Sequence, residues 1–416
     1  MPAQVLEEGT PDEAGFDPAT LDRIRSRAAS WVSDGLTPAL VLLAARRGVV
    51  ALHESYGRLT PDSETPALSV DSVFPCASLC KPLTASVLLM LVEEGLVNLQ
   101  LPAIKYLPEL SGSGVQDVLV SQLLTHTSGY EEEEVMAFAG FDELIVHYRQ
   151  FDNRPRDKHL NEQFDQTSLD PKEHPTIRRA LEATFACPLS RPPGELMSYC
   201  DYGYDLVAEI IRRVSGQPLD RFMKQRVFEP LGMRDSSLRL EPEFEGRIVK
   251  REPRWAGPRG FLVDDESLDT PWGSRGLNTT AMDIARFGQT ILNGGTCGSQ
   301  RLLSAASVRE MTRNQIPEGI GEISFRGSAV QASYGYGWFV IGDQRWSMNG
   351  SLLPIGTYGH SGFGGTVLWV DSVNDVVGVF FSVGTWEGDS VMPESPEEIG
   401  LGPAPFQDMV TAAVVS

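Results

Sequence analysis

Segments of β character stand at both ends of the chain and helical segments fill its middle, so any sheet this chain builds must be assembled from its two termini. Near the start, Val41 to Ala45 and Val49 to His53 are apolar runs separated by Arg46-Arg47-Gly48, the pattern of a β-hairpin. Near the end, Tyr336 to Ile341, Gly365 to Asp371 and Val376 to Val383 are β-like, and Ser372-Val373-Asn374-Asp375 supplies a turn between the last two. Asp17 to Ser33 carries Leu21, Ile24, Ala28 and Trp31 at helical spacing. Lys81 to Gly95 is a strongly apolar helical stretch with a terminal glycine, and Tyr204 to Val214 and Met282 to Leu292 repeat the helical pattern. The order predicts an α+β chain in which residues 1–75 and 300–416 form a sheet lobe and residues 76–299 a mainly helical lobe, with a cleft between them. The polar stretch at about 131–188 is predicted to be a cap-like insertion over that cleft.

Hydrophobic residues make up 41% and charged residues 22%, which supports a packed globular interior. The balance of 35 basic against 56 acidic side chains gives 35 − 56 = −21, a charge that repels phosphate backbones and anionic headgroups. Nucleic acid and membrane surfaces are therefore not expected as partners. The longest apolar runs are far short of the ~20 residues of a membrane span. Met1 to Glu8 has neither a basic region nor an apolar stretch, so a cytoplasmic protein is expected. In that setting the five cysteines, without paired metal spacing, read as reduced thiols. The six histidines are scattered with no H-E-x-x-H pair, and no G-x-S-x-G elbow is present, so neither metal hydrolysis nor α/β-hydrolase chemistry is indicated. No metal or cofactor is expected, and the partner is a small-molecule ester or amide.

Ser78-Leu79-Cys80-Lys81 opens the apolar helix. Residues three apart share a helix face, which brings the Lys81 amine to the Ser78 hydroxyl. A hydroxyl becomes a nucleophile only when its proton is taken, and a lysine buried between lobes is expected to lose proton affinity and act as that base. At a helix start the Ser78 amide also points outward, toward a developing oxyanion. The four-residue pattern alone is common on surface helices.

A second element, Pro193-Gly194-Glu195-Leu196-Met197-Ser198-Tyr199-Cys200-Asp201, precedes the helix at Tyr204. It resembles the Y-x-N element of class C β-lactamases, penicillin-binding DD-peptidases and family VIII carboxylesterases. His360-Ser361-Gly362, before the strand at Gly365, resembles their K-T-G position. Leu123 to Gly129, Gly216 to Leu219, Pro230 to Met233 and Gly276 to Thr280 agree with the same pattern, in the same order, from about Phe74 to Gly384. The resemblance, closest in type to family VIII carboxylesterases, implies a β-lactamase/transpeptidase-like fold with an antiparallel sheet lobe flanked by helices. It also implies an acyl-enzyme on Ser78, with Lys81 beside it, Tyr199 shuttling a proton, His360, Ser361 and Gly362 lining the cleft, and the Phe363 amide as second oxyanion donor. His126 reads as structural, and Cys80 and Cys200 as small buried side chains.

Two departures bear on the substrate. Asp201 stands where these families carry asparagine, and a carboxylate cannot donate a hydrogen bond to a substrate carbonyl. It either attracts a substrate amine or holds the Lys81 charge, and the sequence leaves both open. His360 in place of lysine removes a permanent positive charge, and a neutral imidazole is expected there at pH 7. Both changes favour a carboxylesterase on small or medium acyl esters. The alternatives are a β-lactamase, a D-amino-acid amidase or peptidase, an acyltransferase, and a non-catalytic binding protein of the same fold.

Overall fold

A computed structural model of the chain describes residues 5–59, 65–140, 174–251, 265–323, 329–343, 349–383 and 402–415. Its main sheet has seven strands: β1 (Glu7–Glu8), β2 (Ala39–Arg46), β3 (Val49–Gly57), β4 (Phe339–Val340), β5 (Tyr358–Gly362), β6 (Thr366–Asp371) and β7 (Val376–Ser382). The order across the sheet is β1-β3-β2-β7-β6-β5-β4, antiparallel except for the β1–β3 pair. The two ends of the chain meet where β2 runs beside β7, with Leu43 opposite Val379.

This sheet is covered on both faces, which is why β2, β6 and β7 are continuous apolar runs rather than alternating ones. Successive side chains leave a strand on opposite faces. Val41, Leu43, Leu368, Val370, Val379 and Phe381 accordingly join one core with Ile284, Phe287 and Ile291 of a helix at Ala281–Leu292. Leu40, Leu42, Val367, Trp369 and Phe380 join the other, with Leu21, Ile24, Ala28 and Trp31 of helix α1 (Pro18–Ser33) and Phe406 and Val410 of the C-terminal helix Pro403–Ala413. Asp17 caps α1 by accepting from the Thr20 amide.

The helical part is built around α2 (Lys81–Glu93), buried at every residue from Lys81 to Leu91, and α3 (Asp201–Ser215), which packs on it. Helices also occupy Glu132–Phe138 and Pro175–Thr184, on the flanks of the expected cap; residues 141–173 of that cap lie outside the described residues.

Two expectations for the C-terminal part are corrected. Of Tyr336 to Ile341 only Phe339–Val340 is strand. Gly335 N–H donates to the Trp338 carbonyl in a turn, and Gly337, in a left-handed conformation, lies against the backbone of Lys81 and Pro82 where a Cβ would be crowded. His360-Ser361-Gly362 does not merely precede a strand but lies in one. It pairs with β6 in the register His360↔Leu368, Ser361↔Val367, Gly362↔Thr366, and the turn is confined to Phe363 to Gly365.

Candidate active site

The chain reaches Ser78 through Phe74–Pro75, a short strand paired antiparallel with Asn278–Thr279, while the Cys76 amide donates to the Leu277 carbonyl at 2.7 Å. Ala77 then takes a left-handed conformation with φ of 43°, uncommon for a residue with a Cβ and of a kind that recurs at functional sites. The 3-10 turn Ala77–Cys80 follows, and of its four side chains only that of Ser78 is not buried. The turn leads directly into α2, which sets Lys81 one turn beyond Ser78.

Lys81 is fully buried, and its ammonium donates to Ser78 Oγ at 2.9 Å, Asp201 Oδ1 at 2.7 Å and the Ser274 carbonyl at 3.0 Å. The Tyr199 and Tyr204 rings face it at 4.7 and 5.6 Å. Burial alone would lower its pKa, but Asp201, with Tyr199 adding, outweighs burial and holds it above the ordinary lysine value. This corrects the expectation that Lys81 loses proton affinity. Of the two roles left open for Asp201, the one it takes is to hold the Lys81 charge.

Tyr199 is bracketed by His126, whose carbonyl accepts from the Ser198 amide at 2.8 Å and whose Nδ1 accepts from the Cys200 amide at 3.1 Å. The imidazole lies 4.3 Å from the phenol ring between centroids. Burial raises the Tyr199 pKa, Lys81 works against that and Asp201 with it, so the phenol stands at about 12. Asp201 begins α3, and its amide donates to Glu132 Oε2 at 2.8 Å, an anion at the positive end of the helix.

His360 is buried beside these groups, its ring 6.3 Å from that of Tyr199 and 5.1 Å from that of Phe339. Nδ1 lies 2.6 Å from the Ser361 carbonyl and Nε2 3.1 Å from the Tyr334 hydroxyl. A carbonyl only accepts, so the proton is assigned to Nδ1 and Nε2 accepts from Tyr334. Burial, and after it the Lys81 charge, push the His360 pKa down to about 3, so the K-T-G-like position carries no cation. Ser361 is half-buried on the same strand. Beyond it, Gly362 is packed so closely that a Cβ would overlap the Cys76 carbonyl oxygen, which also accepts from Thr366 Oγ1 at 3.3 Å. The turn carrying Phe363 is thereby set against the main chain leading into Ser78.

Several residues at the site were not singled out from the sequence. Asp205, one helical turn after Asp201 and so on the same face, accepts from the Ser274 amide at 3.2 Å. Burial raises its pKa, Arg275 opposes and Asp201 adds, leaving it at about 7. The Arg275 guanidinium lies 3.8 Å from Asp201 and 3.6 Å from Asp205 and stacks over Trp272 at 4.2 Å. The i, i+4 spacing of the two aspartates was available as a signal; Ser274 and Arg275 adjoin Gly276 to Thr280 but carry no motif of their own. All five cysteines are free, and Cys80 and Cys200 are buried with their thiol pKa values pushed up by burial. Among the described residues no group of His, Cys, Asp and Glu side chains is placed to hold a metal ion, and no helix is long and apolar enough to cross a membrane.

Comparison with known proteins shows the family and the fold. The family model described as Beta-lactamase matches residues 28–391. A protein of Escherichia coli (strain K12) named "Putative D-alanyl-D-alanine carboxypeptidase" is 26% identical over 413 residues, covering 91% of this chain and 85% of that protein. Among solved structures, a family VIII carboxylesterase superposes with a TM-score of 0.69 at 19% identity, covering 96% of this chain and 98% of that one. EstCE1, a hydrolase with promiscuous acyltransferase activity, superposes with a TM-score of 0.69 at 17% identity, covering 96% and 99%. At these identities the two structures establish the fold, which is β-lactamase/transpeptidase-like and α+β.

Proposed function

The chain belongs to the β-lactamase family of serine hydrolases, and from that premise we propose that it is a carboxylesterase that cleaves small or medium acyl esters through an acyl-enzyme on Ser78. The observation that carries the reading is the direct contact of Ser78 Oγ with Lys81 Nζ at 2.9 Å, with the Tyr199 ring facing the same ammonium at 4.7 Å. Because Asp201 keeps Lys81 charged, the proton acceptor in this mechanism is Tyr199, reacting in the microstate where the Tyr199–Lys81 pair has lost one proton. Ser78 Oγ attacks the ester carbonyl as its proton passes to the phenolate. The amides of Ser78 and Phe363 receive the oxyanion, and Tyr199 returns the proton to the departing alkoxide. Water then repeats the sequence on the acyl-enzyme, and a second alcohol in its place gives acyl transfer.

Two features support an ester over a β-lactam or an acyl-D-alanyl peptide. The Asp201 side chain has no N–H to offer an acylamino carbonyl, and one of its oxygens is taken by Lys81. His360, neutral and bonded to Tyr334, presents no cation to a substrate carboxylate. The test is a p-nitrophenyl ester panel beside a chromogenic cephalosporin, in wild type and Ser78→Ala, with fluorophosphonate labelling followed by mass spectrometry. Ester turnover lost in the variant and a label on Ser78 are expected. Ester turnover persisting in Ser78→Ala, or a cephalosporin cleaved faster than any ester, would sink the proposal.

A further inference from the structure

Arg251 is 3% exposed, yet among the described residues no carboxylate is paired with it. Its guanidinium is spent on main chain: Nη1 donates to the Pro75 carbonyl at 3.3 Å, and Nη2 to the carbonyls of Gly364 at 3.1 Å and Ser382 at 3.4 Å. Nε is buried without a partner. Removing a charge from water without an opposite charge is costly, so a fold that retains one is using it where a neutral side chain would not serve. The arginine is itself anchored beside the strand that leads to the nucleophile. Ile248 bridges Val73 in parallel, and the Val249 amide donates to the Val73 carbonyl at 2.8 Å.

The three carbonyls lie on three segments distant in sequence. Pro75 stands three residues before Ser78, Gly364 directly follows Phe363, and Ser382 ends β7, where its amide donates to the Gly365 carbonyl at 2.9 Å. Ser78 and Phe363 come from different parts of the chain, so the separation of their amides is set by how firmly these segments are held together. Gly362 packed on the Cys76 carbonyl prevents the segments from moving closer, and the Thr366 hydroxyl is a single tie. A planar guanidinium with donors in a rigid fork fixes both segments at once, which an ammonium on a flexible stem does not.

We propose that Arg251 is a positioning residue for oxyanion stabilisation: it ties the main chain entering Ser78 to the turn carrying Phe363, so that the two amides converge on one reacting oxygen. The inference rests on the serine-hydrolase reading of the site. Its effect falls on the transition state, where the oxyanion develops, rather than on substrate binding. Displacing donors by a fraction of an ångström to about 1 Å corresponds to a loss of roughly 10- to 100-fold in kcat.

The experiment compares wild type, Arg251→Met and Arg251→Lys for ester kcat and KM, for thermal melting, and for the Ki of phenylboronic acid, whose adduct on Ser78 places an oxygen where the oxyanion forms. For Arg251→Met, kcat falls by the factor above with KM within about twofold, and Ki rises by the same factor as kcat falls. Arg251→Lys recovers part of both and serves as the test if the methionine variant does not fold. A purely structural role would lower the melting temperature and leave the kcat and Ki of the folded variants at wild-type values, which overturns the proposal, as does a kcat loss with unchanged Ki. Wild-type ester turnover with no boronate adduct on Ser78 would remove the serine-hydrolase reading itself, and this inference with it.

Discussion

Replacing Asp201 by asparagine removes the charge that holds Lys81 protonated while changing the shape of the site little. At 2.7 Å and an effective dielectric constant of about 20, two unit charges attract by about 6 kcal/mol, equivalent to about 4 pKa units. The substituted side chain would still accept from Lys81 through its amide oxygen, which retains part of that, so a fall of about 2 to 4 units in the first proton loss of the Tyr199–Lys81 pair is expected. In wild type that loss is held high, with Lys81 above its ordinary value and Tyr199 at about 12. Deprotonation is needed for attack, so log(kcat/KM) for an ester should climb with a slope near one from neutral pH to beyond pH 9 without levelling. In Asp201→Asn the same curve should level at a pH lower by about 2 units or more. The variant should also be less stable, by about 3 kcal/mol or more where Lys81 remains charged, because a buried cation has lost its partner. The assay is a pH–rate profile from 6 to 9.5 with urea unfolding alongside. Superimposable profiles for the two proteins would refute the claim that Asp201 sets the protonation of the site.

Tyr199→Phe removes the shuttle but leaves Lys81 its three other acceptors, so kcat should fall by about 10² to 10⁴ with melting close to wild type; a variant above a tenth of wild-type kcat would exclude the role. Acid stability gives a separate check. His126 and His360 stay neutral when folded but protonate near 6.5 once unfolded, so the unfolded state binds more protons below that pH, and each removes about 1.4 kcal/mol per unit as pH falls. Asp205 acts oppositely: its folded pKa of about 7 exceeds the unfolded value of about 4, so it adds about 1.4 kcal/mol per unit over that window. Asp205→Asn, which can still accept from the Ser274 amide, removes that offset and should steepen the loss of stability below pH 6.5 by about 1.4 kcal/mol per unit. Melting curves between pH 7 and 5 that are equally steep for both proteins would contradict this.

What could be read from the sequence was local. Ser78 and Lys81 share a helix turn, Tyr199 and Asp201 share a loop entering a helix, and β2 and β7 are apolar throughout because both of their faces are covered. What could not be read depends on partners far along the chain. The charge state of Lys81 is decided by Asp201, 120 residues away, so burial alone gave the wrong sign. In the sequence His360-Ser361-Gly362 reads as standing before a strand rather than in one because its strand character comes from its ladder with β6 rather than from its own residues. Arg251 carries no motif, and its carbonyl partners lie 176, 113 and 131 residues from it.

The two buried cations differ in what neutralises them, and the difference separates their chemistry. Lys81 faces a carboxylate, so its proton affinity depends chiefly on that side chain, and substitution of it can reset the value. Among the described residues Arg251 faces only carbonyl dipoles; burial lowers its pKa to about 10, which leaves it charged near neutral pH. A group meant to exchange protons benefits from the first arrangement and a group meant to hold geometry from the second. The same contrast explains why a buried ion pair is kept at Asp201 when an apolar pair would serve stability as well. A charged Lys81 against the Tyr199 ring lowers the cost of a phenolate, and Asp201 lets that charge persist in a site with little water. Asparagine at this position would free the lysine to act as the base itself, so the identity of residue 201 selects which member of the Tyr199–Lys81 pair takes the proton of Ser78.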